Sequence, residues 1–89
     1  MRMQDRIRAR LAEALAPAEI AVVDESANHA GHSGAREGGE THYRVEVVSP
    51  AFAGKSRVQR HRLVYQALAA EIADGVHALA LNTRAPGEA

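Results

Sequence analysis

The chain has no cysteine and no tryptophan, and only one phenylalanine and two tyrosines among its 89 residues. Without cysteine there is no disulfide framework and no zinc ribbon, and any thiolate in its chemistry must be supplied by a partner. With so few aromatics the core must be Val, Leu, Ile and Ala, which leaves little room for a deep small-molecule pocket. Charge of either sign is not in excess either: 11 Lys and Arg balance 11 Asp and Glu, which argues against strong nonspecific binding to DNA. No apolar run approaches the roughly 20 residues of a membrane span, and "MRMQDRIRAR" lacks the apolar centre of a signal peptide. The expected location is therefore the cytoplasm, with no membrane partner.

What is present fits one small globular domain, 46% apolar and 25% charged. In "MQDRIRARLAEALAP" the residues Met3, Ile7, Leu11, Ala14 and Leu15 recur at helical spacing, and Pro17 stops the pattern because it has no N–H to donate. "EIAVVDES" is rich in β-branched residues, and "THYRVEVVS" alternates Tyr43, Val45 and Val47 against His42, Arg44 and Glu46, so both read as strands. Pro50 and Gly54 then turn the chain into a second helix. Ser56 is its expected N-cap, Gly75 the residue just past its end, and Val58, Tyr65, Leu68, Ala69 and Ile72 its buried stripe. "VHALALNT" reads as a third strand and residues 85–89 as a disordered tail, so the domain spans residues 1–84. The order αββαβ predicts an α+β fold. In it the first two strands pair antiparallel, the last two join by a right-handed parallel crossover, and both helices cover one face of a three-stranded mixed sheet.

Between the first two strands, residues 26–42 form a flexible loop holding four of the seven glycines and three of the five histidines. His29 and His32 sit where glycines permit unusual backbone angles, which suits ligands that adjust to an incoming metal, although a slack connection has the same composition. "HAGH" with a distant third His is a poor zinc signature, because a structural zinc site takes four protein ligands at tighter spacings. His42 and His61 read as surface or hydrogen-bonded imidazoles. By parity with Leu79 and Leu81, His77 reads as a residue facing the core.

Lys55, Arg57, Arg60 and Arg62 crowd the start of the second helix while Glu71 and Asp74 lie near its end, the reverse of what the helix dipole favours. The two readings are a merely solvated face and a surface that meets something acidic, either a protein or a nucleic-acid backbone. The "GKS" at Gly54 to Ser56 is no phosphate loop, since Ser49 stands where the first glycine is required. Nor is there a carboxylate pair or a nucleophile–base constellation: Asp24, Glu25, Glu37 and Glu40 flank a loop too mobile to orient them. Catalysis is not expected.

The order of elements, together with "VVDES" before the loop, "GGETHYRV" after it, "RHRLVY" in the second helix and "VHALAL" in the last strand, closely resembles the BolA family over nearly the whole chain. The resemblance implies a fold akin to class II K-homology domains. It also implies a non-enzymatic protein that pairs with a monothiol, CGFS-type glutaredoxin and shares with it a bridging [2Fe–2S] cluster. It makes His77 one cluster ligand and a loop histidine the second, His29 by its distance after "DES", with His32 as the alternative. A second loop histidine and a longer glycine-rich insertion set this chain apart from many relatives.

That implication makes chemical sense. Two imidazoles on one iron and two sulfurs on the other is an established cluster ligation, and this chain offers imidazoles without thiolates. It could complete half of a cluster and never hold a whole one, so the isolated chain should carry no cofactor, and glutaredoxin with glutathione would fill the gap. Arg60 and Arg62 would then meet acidic groups of the partner or a glutathione carboxylate. The expected role is in iron–sulfur cluster assembly, trafficking and iron homeostasis. The alternative is a stress-responsive transcriptional regulator that meets DNA through Lys55, Arg57, Arg60 and Arg62.

Overall fold

The computed structural model describes residues 2–25 and 42–88. Helix α1 (Met3–Leu15) is followed by strands β1 (Glu19–Asp24) and β2 (His42–Val48), a single 3₁₀ turn (Pro50–Phe52), helices α2 (Arg57–Ala67) and α3 (Ala69–Ala73), and strand β3 (Ala78–Arg84). The sheet order is β1-β2-β3, antiparallel between β1 and β2 and parallel between β2 and β3. This is the α+β arrangement expected from the pattern. β2 lies in the centre, with Val45 opposite Val22 of β1 and Leu81 of β3.

The reason for one covered face is visible in β2. Tyr43, Val45 and Val47 are buried while Arg44 and Glu46 are exposed, so the period-2 alternation assigns one side to the helices and the other to water. On α1 the buried residues Met3, Ile7, Leu11 and Leu15 are each four apart and form one stripe. Ala14 lies outside it.

The second helix differs from expectation in two ways. It is divided at Leu68, whose φ of −100° and ψ of 17° depart from helical values, although Leu68 N–H still donates to Val64 O and Ile72 N–H to Leu68 O across the joint. Its buried residues are Val64, Leu68 and Glu71; of the expected stripe Leu68 is fully buried and Ile72 packs against the core, while Ala69 is exposed and Val58 and Tyr65 are 58% and 45% exposed. Glu71 is only 1% exposed and is paired with α1: Arg6 Nη2 donates to Glu71 Oε2 at 3.0 Å, Arg10 Nε stands 3.6 Å from Oε1, and Arg6 also bridges to Asp74 at 2.6 Å. A paired carboxylate can occupy a core-facing position that an apolar template assigns elsewhere. These pairs also explain why acids lie at the end of this helical segment, against its dipole.

Ser49 is fully buried and ties three elements together. Its Oγ donates to Leu15 O at 2.7 Å, satisfying a carbonyl at the end of α1, and accepts from Ala51 N–H at 3.1 Å, while Ser49 N–H donates to Arg84 O at 2.9 Å. The tail expected to be disordered is held as far as Glu88. Ala85 is buried, and the Glu88 carboxylate accepts two hydrogen bonds from the Arg60 fork, at 2.6 and 2.8 Å, and a third from Ala85 N–H at 3.0 Å. Pattern reading missed this because Arg60 and Glu88 are distant in sequence.

Ser49→Ala should cost about 1–3 kcal/mol in urea denaturation, because it leaves the Leu15 carbonyl buried without a donor. Glu88 is pulled from the ordinary carboxyl value of 4.5 down to about 2, first by the Arg60 hydrogen bonds and then by the Ala85 N–H. Because the folded value is the depressed one, the tail's anchoring should be intact above about pH 4.5 and lost as pH falls towards about 2. Carboxyl NMR shifts of Glu88 followed with pH would check this, and Glu88→Gln should remove the acid dependence.

An imidazole end and a cationic end

The backbone at the start of β3 is shaped to display His77. Gly75 has φ 125°, a left-handed value that favours glycine, and its N–H donates to Ile72 O. Val76 N–H then donates to Glu71 O and its side chain is buried, so the chain is pinned immediately before His77. His77 itself is exposed and lies one residue ahead of β3. The core-facing reading of His77 is thereby overturned, because strand parity holds only inside a strand.

The parallel register places His42 opposite Ala78, so the first residue of β2 stands beside His77. The two rings have centroids 6.4 Å apart and are tilted by 35°. Sequence reading assigned no role to His42, yet the signal was available: two strands expected to run parallel both open on a histidine. His29 and His32 lie outside the described residues. At this end Glu25 N–H donates to His42 O at 2.8 Å, and Glu25 also pairs with Arg44 at 3.2 Å.

The donor set is two imidazoles and no thiolate. Among the described residues no group of three or more His, Asp or Glu side chains is gathered to hold a metal ion. A half-site of this kind fits one iron of a cluster whose other ligands come from elsewhere, and does not fit a self-sufficient structural zinc.

The cations lie at the other end of the sheet. Lys55, Arg57, Arg60 and His61 line a shallow groove of about 510 Å³ whose opposite wall is Leu81, Asn82 and Thr83 of β3. Ser56 caps α2 by accepting from Gln59 N–H, and the Gln59 side chain accepts from Ser56 N–H, so these two helix-start donors are already satisfied. Arg60 is engaged by Glu88 and also donates to Lys55 O at 2.9 Å. Arg62 is exposed and does not line the groove. Thr83 is five positions along β3 from Ala78, about 17 Å at the rise of a strand. In the isolated chain the Arg60 fork is taken by Glu88, beside the second half of β3 and away from His77.

The family model of BolA-like proteins matches residues 11–88. The chain is 49% identical over 82 residues to BolA-like protein 1 of Homo sapiens, covering 92% of this chain and 57% of that protein. It is 46% identical over 87 residues to SufE-like protein 1, chloroplastic/mitochondrial, of Arabidopsis thaliana, covering 93% of this chain but 24% of that one. The chain thus spans only part of these two relatives. The solved structure of the BolA domain of SufE1 from Arabidopsis thaliana superposes with a TM-score of 0.85 at 45% identity, over 97% of this chain and 94% of that one. Match, identity and superposition agree with the mixed sheet and its helices, and this chain belongs to the BolA family.

Proposed function

We propose that this protein is a non-enzymatic adaptor that pairs with a CGFS-type monothiol glutaredoxin and lends imidazoles to one iron of a bridging [2Fe–2S] cluster, in cluster assembly, trafficking and iron homeostasis. The observation that carries the reading is the pair His42 and His77, held beside each other at one end of a chain without any cysteine. His77 is one donor. The second is His42, already at its side, or a histidine of the loop, His29 with His32 as the alternative. The cluster, when bound, supplies an electron-accepting iron pair whose potential rises as imidazole replaces thiolate. The chain's own residues orient it: Gly75 and Val76 fix where His77 points from, and the β2–β3 register fixes where His42 stands. The occurrence of a BolA domain inside a much longer SufE-like protein supports an adaptor role alongside other machinery.

A transcriptional role through DNA has one observation in its favour: from residue 47 to residue 70 there are four Lys and Arg and no Asp or Glu. Against it stand the filled fork of Arg60 and the zero net charge. A salt titration with duplex DNA separates the readings, since phosphate contacts give an affinity that falls steeply with ionic strength.

Reconstitution with glutaredoxin, glutathione, iron and sulfide should give a coloured complex with charge-transfer absorption and visible circular dichroism. His77→Ala should lose most of that signal, and whichever of His29→Ala, His32→Ala and His42→Ala loses as much identifies the second donor. A spectrum untouched by His77→Ala combined with all three would refute the ligand assignment. Because imidazoles must be deprotonated to bind metal, cluster retention should also weaken in mild acid, as followed by absorbance on titration.

A further inference from the structure

We infer that the groove between the start of α2 and the outer edge of β3 is a second docking site, taking an extended, carboxylate-rich segment of a partner protein. Its β3 wall lies about 10–17 Å along the strand from the imidazole end, and the inference does not depend on the cluster reading.

Three features point there. One is charge: Lys55 and Arg57 are exposed on the helix wall, with His61 beside them. The second is the edge itself. β3 is an outer strand among the described residues, and Leu81–Thr83 form the groove wall. An outer strand presents backbone donors and acceptors in alternation, which an added strand can pair with. The opposite edge strand, β1, begins at Glu19 and ends at Asp24, whereas Lys55 and Arg57 lie beside the β3 edge.

The third feature is a carboxylate already captured in cis. Glu88 is gripped by both arms of Arg60 and by the Ala85 N–H, and Arg60 also reaches Thr83 O at 3.4 Å, at the end of the groove. The molecule thus shows the recognition chemistry on its own chain: a guanidinium fork plus a backbone N–H closing on one carboxylate. Arg60 is spent on Glu88, and Lys55 and Arg57 carry the same attraction along the groove. A phosphodiester backbone fits less well, because it only accepts hydrogen bonds, whereas a strand edge needs a partner that both donates and accepts.

The test is fluorescence anisotropy on the full chain with a labelled synthetic peptide of about eight residues alternating Glu and Val, long enough to span a strand. Binding should weaken with added salt, fall by at least about tenfold in Lys55→Glu/Arg57→Glu, and be unchanged in His77→Ala and in the presence of glutaredoxin. Amide NMR shifts should move at Leu81–Thr83. Arg57→Gln gives a milder variant should the double reversal fail to fold, and should show a smaller loss in the same direction. The proposal is overturned by any of four results: no binding at low salt, equal binding by the charge-altered variants, duplex DNA binding more tightly through the same residues, or sedimentation showing that a second copy of the chain fills the groove. Competition between peptide and glutaredoxin would overturn the independence of the two ends while leaving the cluster reading intact.

Discussion

The register between β2 and β3 is the constraint on which the rest of this molecule depends. With Val45 against Leu81, the inward residues of both strands meet the helices, and with His42 against Ala78 the two strand starts lie side by side. A slip of one residue would turn Tyr43, Val45 and Val47 out to water and Arg44 and Glu46 into the core, so burial enforces the register strongly. The juxtaposition of His42 and His77 is therefore inherited from the core. Hydrophobic burial sets the position of two polar rings, His42 half-buried and His77 exposed.

Charge is arranged by the same economy of elements. Arg6 and Arg10 of α1 reach across to Glu71, and Arg60 of α2 reaches down to Glu88, so cations that look like surplus in the sequence are committed to holding helices and tail together. Among the described residues, the cations at the start of α2 outside the Arg60–Glu88 pair are a smaller set, Lys55 and Arg57 in the groove and Arg62 outside it. His42 and His77 stand at the start of β3 and Lys55 and Arg57 beside its second half, which separates metal chemistry from anion recognition in space.

Much of this was legible in the residues themselves. The four-residue spacing of Met3, Ile7, Leu11 and Leu15 and the alternation of Tyr43, Val45 and Val47 are local signals of period, and both survive in the fold. The burial of Glu71 was not legible, since it depends on Arg6, 65 positions away, and an apolar pattern has no place for a neutralised acid. The held tail escaped for the same reason, Arg60 and Glu88 being 28 positions apart. Of the candidate metal ligands, His77 was legible through resemblance, while His42 required the strand register to be read together with the positions of the histidines.

The two tyrosines stand in contrasting places, Tyr43 deep in the core next to His42 and Tyr65 out on α2. In a chain lacking tryptophan and with a single, weakly emitting phenylalanine, these two phenols dominate its intrinsic ultraviolet emission. One reports on the packed interior and the other on the solvent side of a helix. A light-absorbing group seated between the strand starts would lie within energy-transfer range of the inner one, so the protein carries its own optical gauge of occupancy at that end.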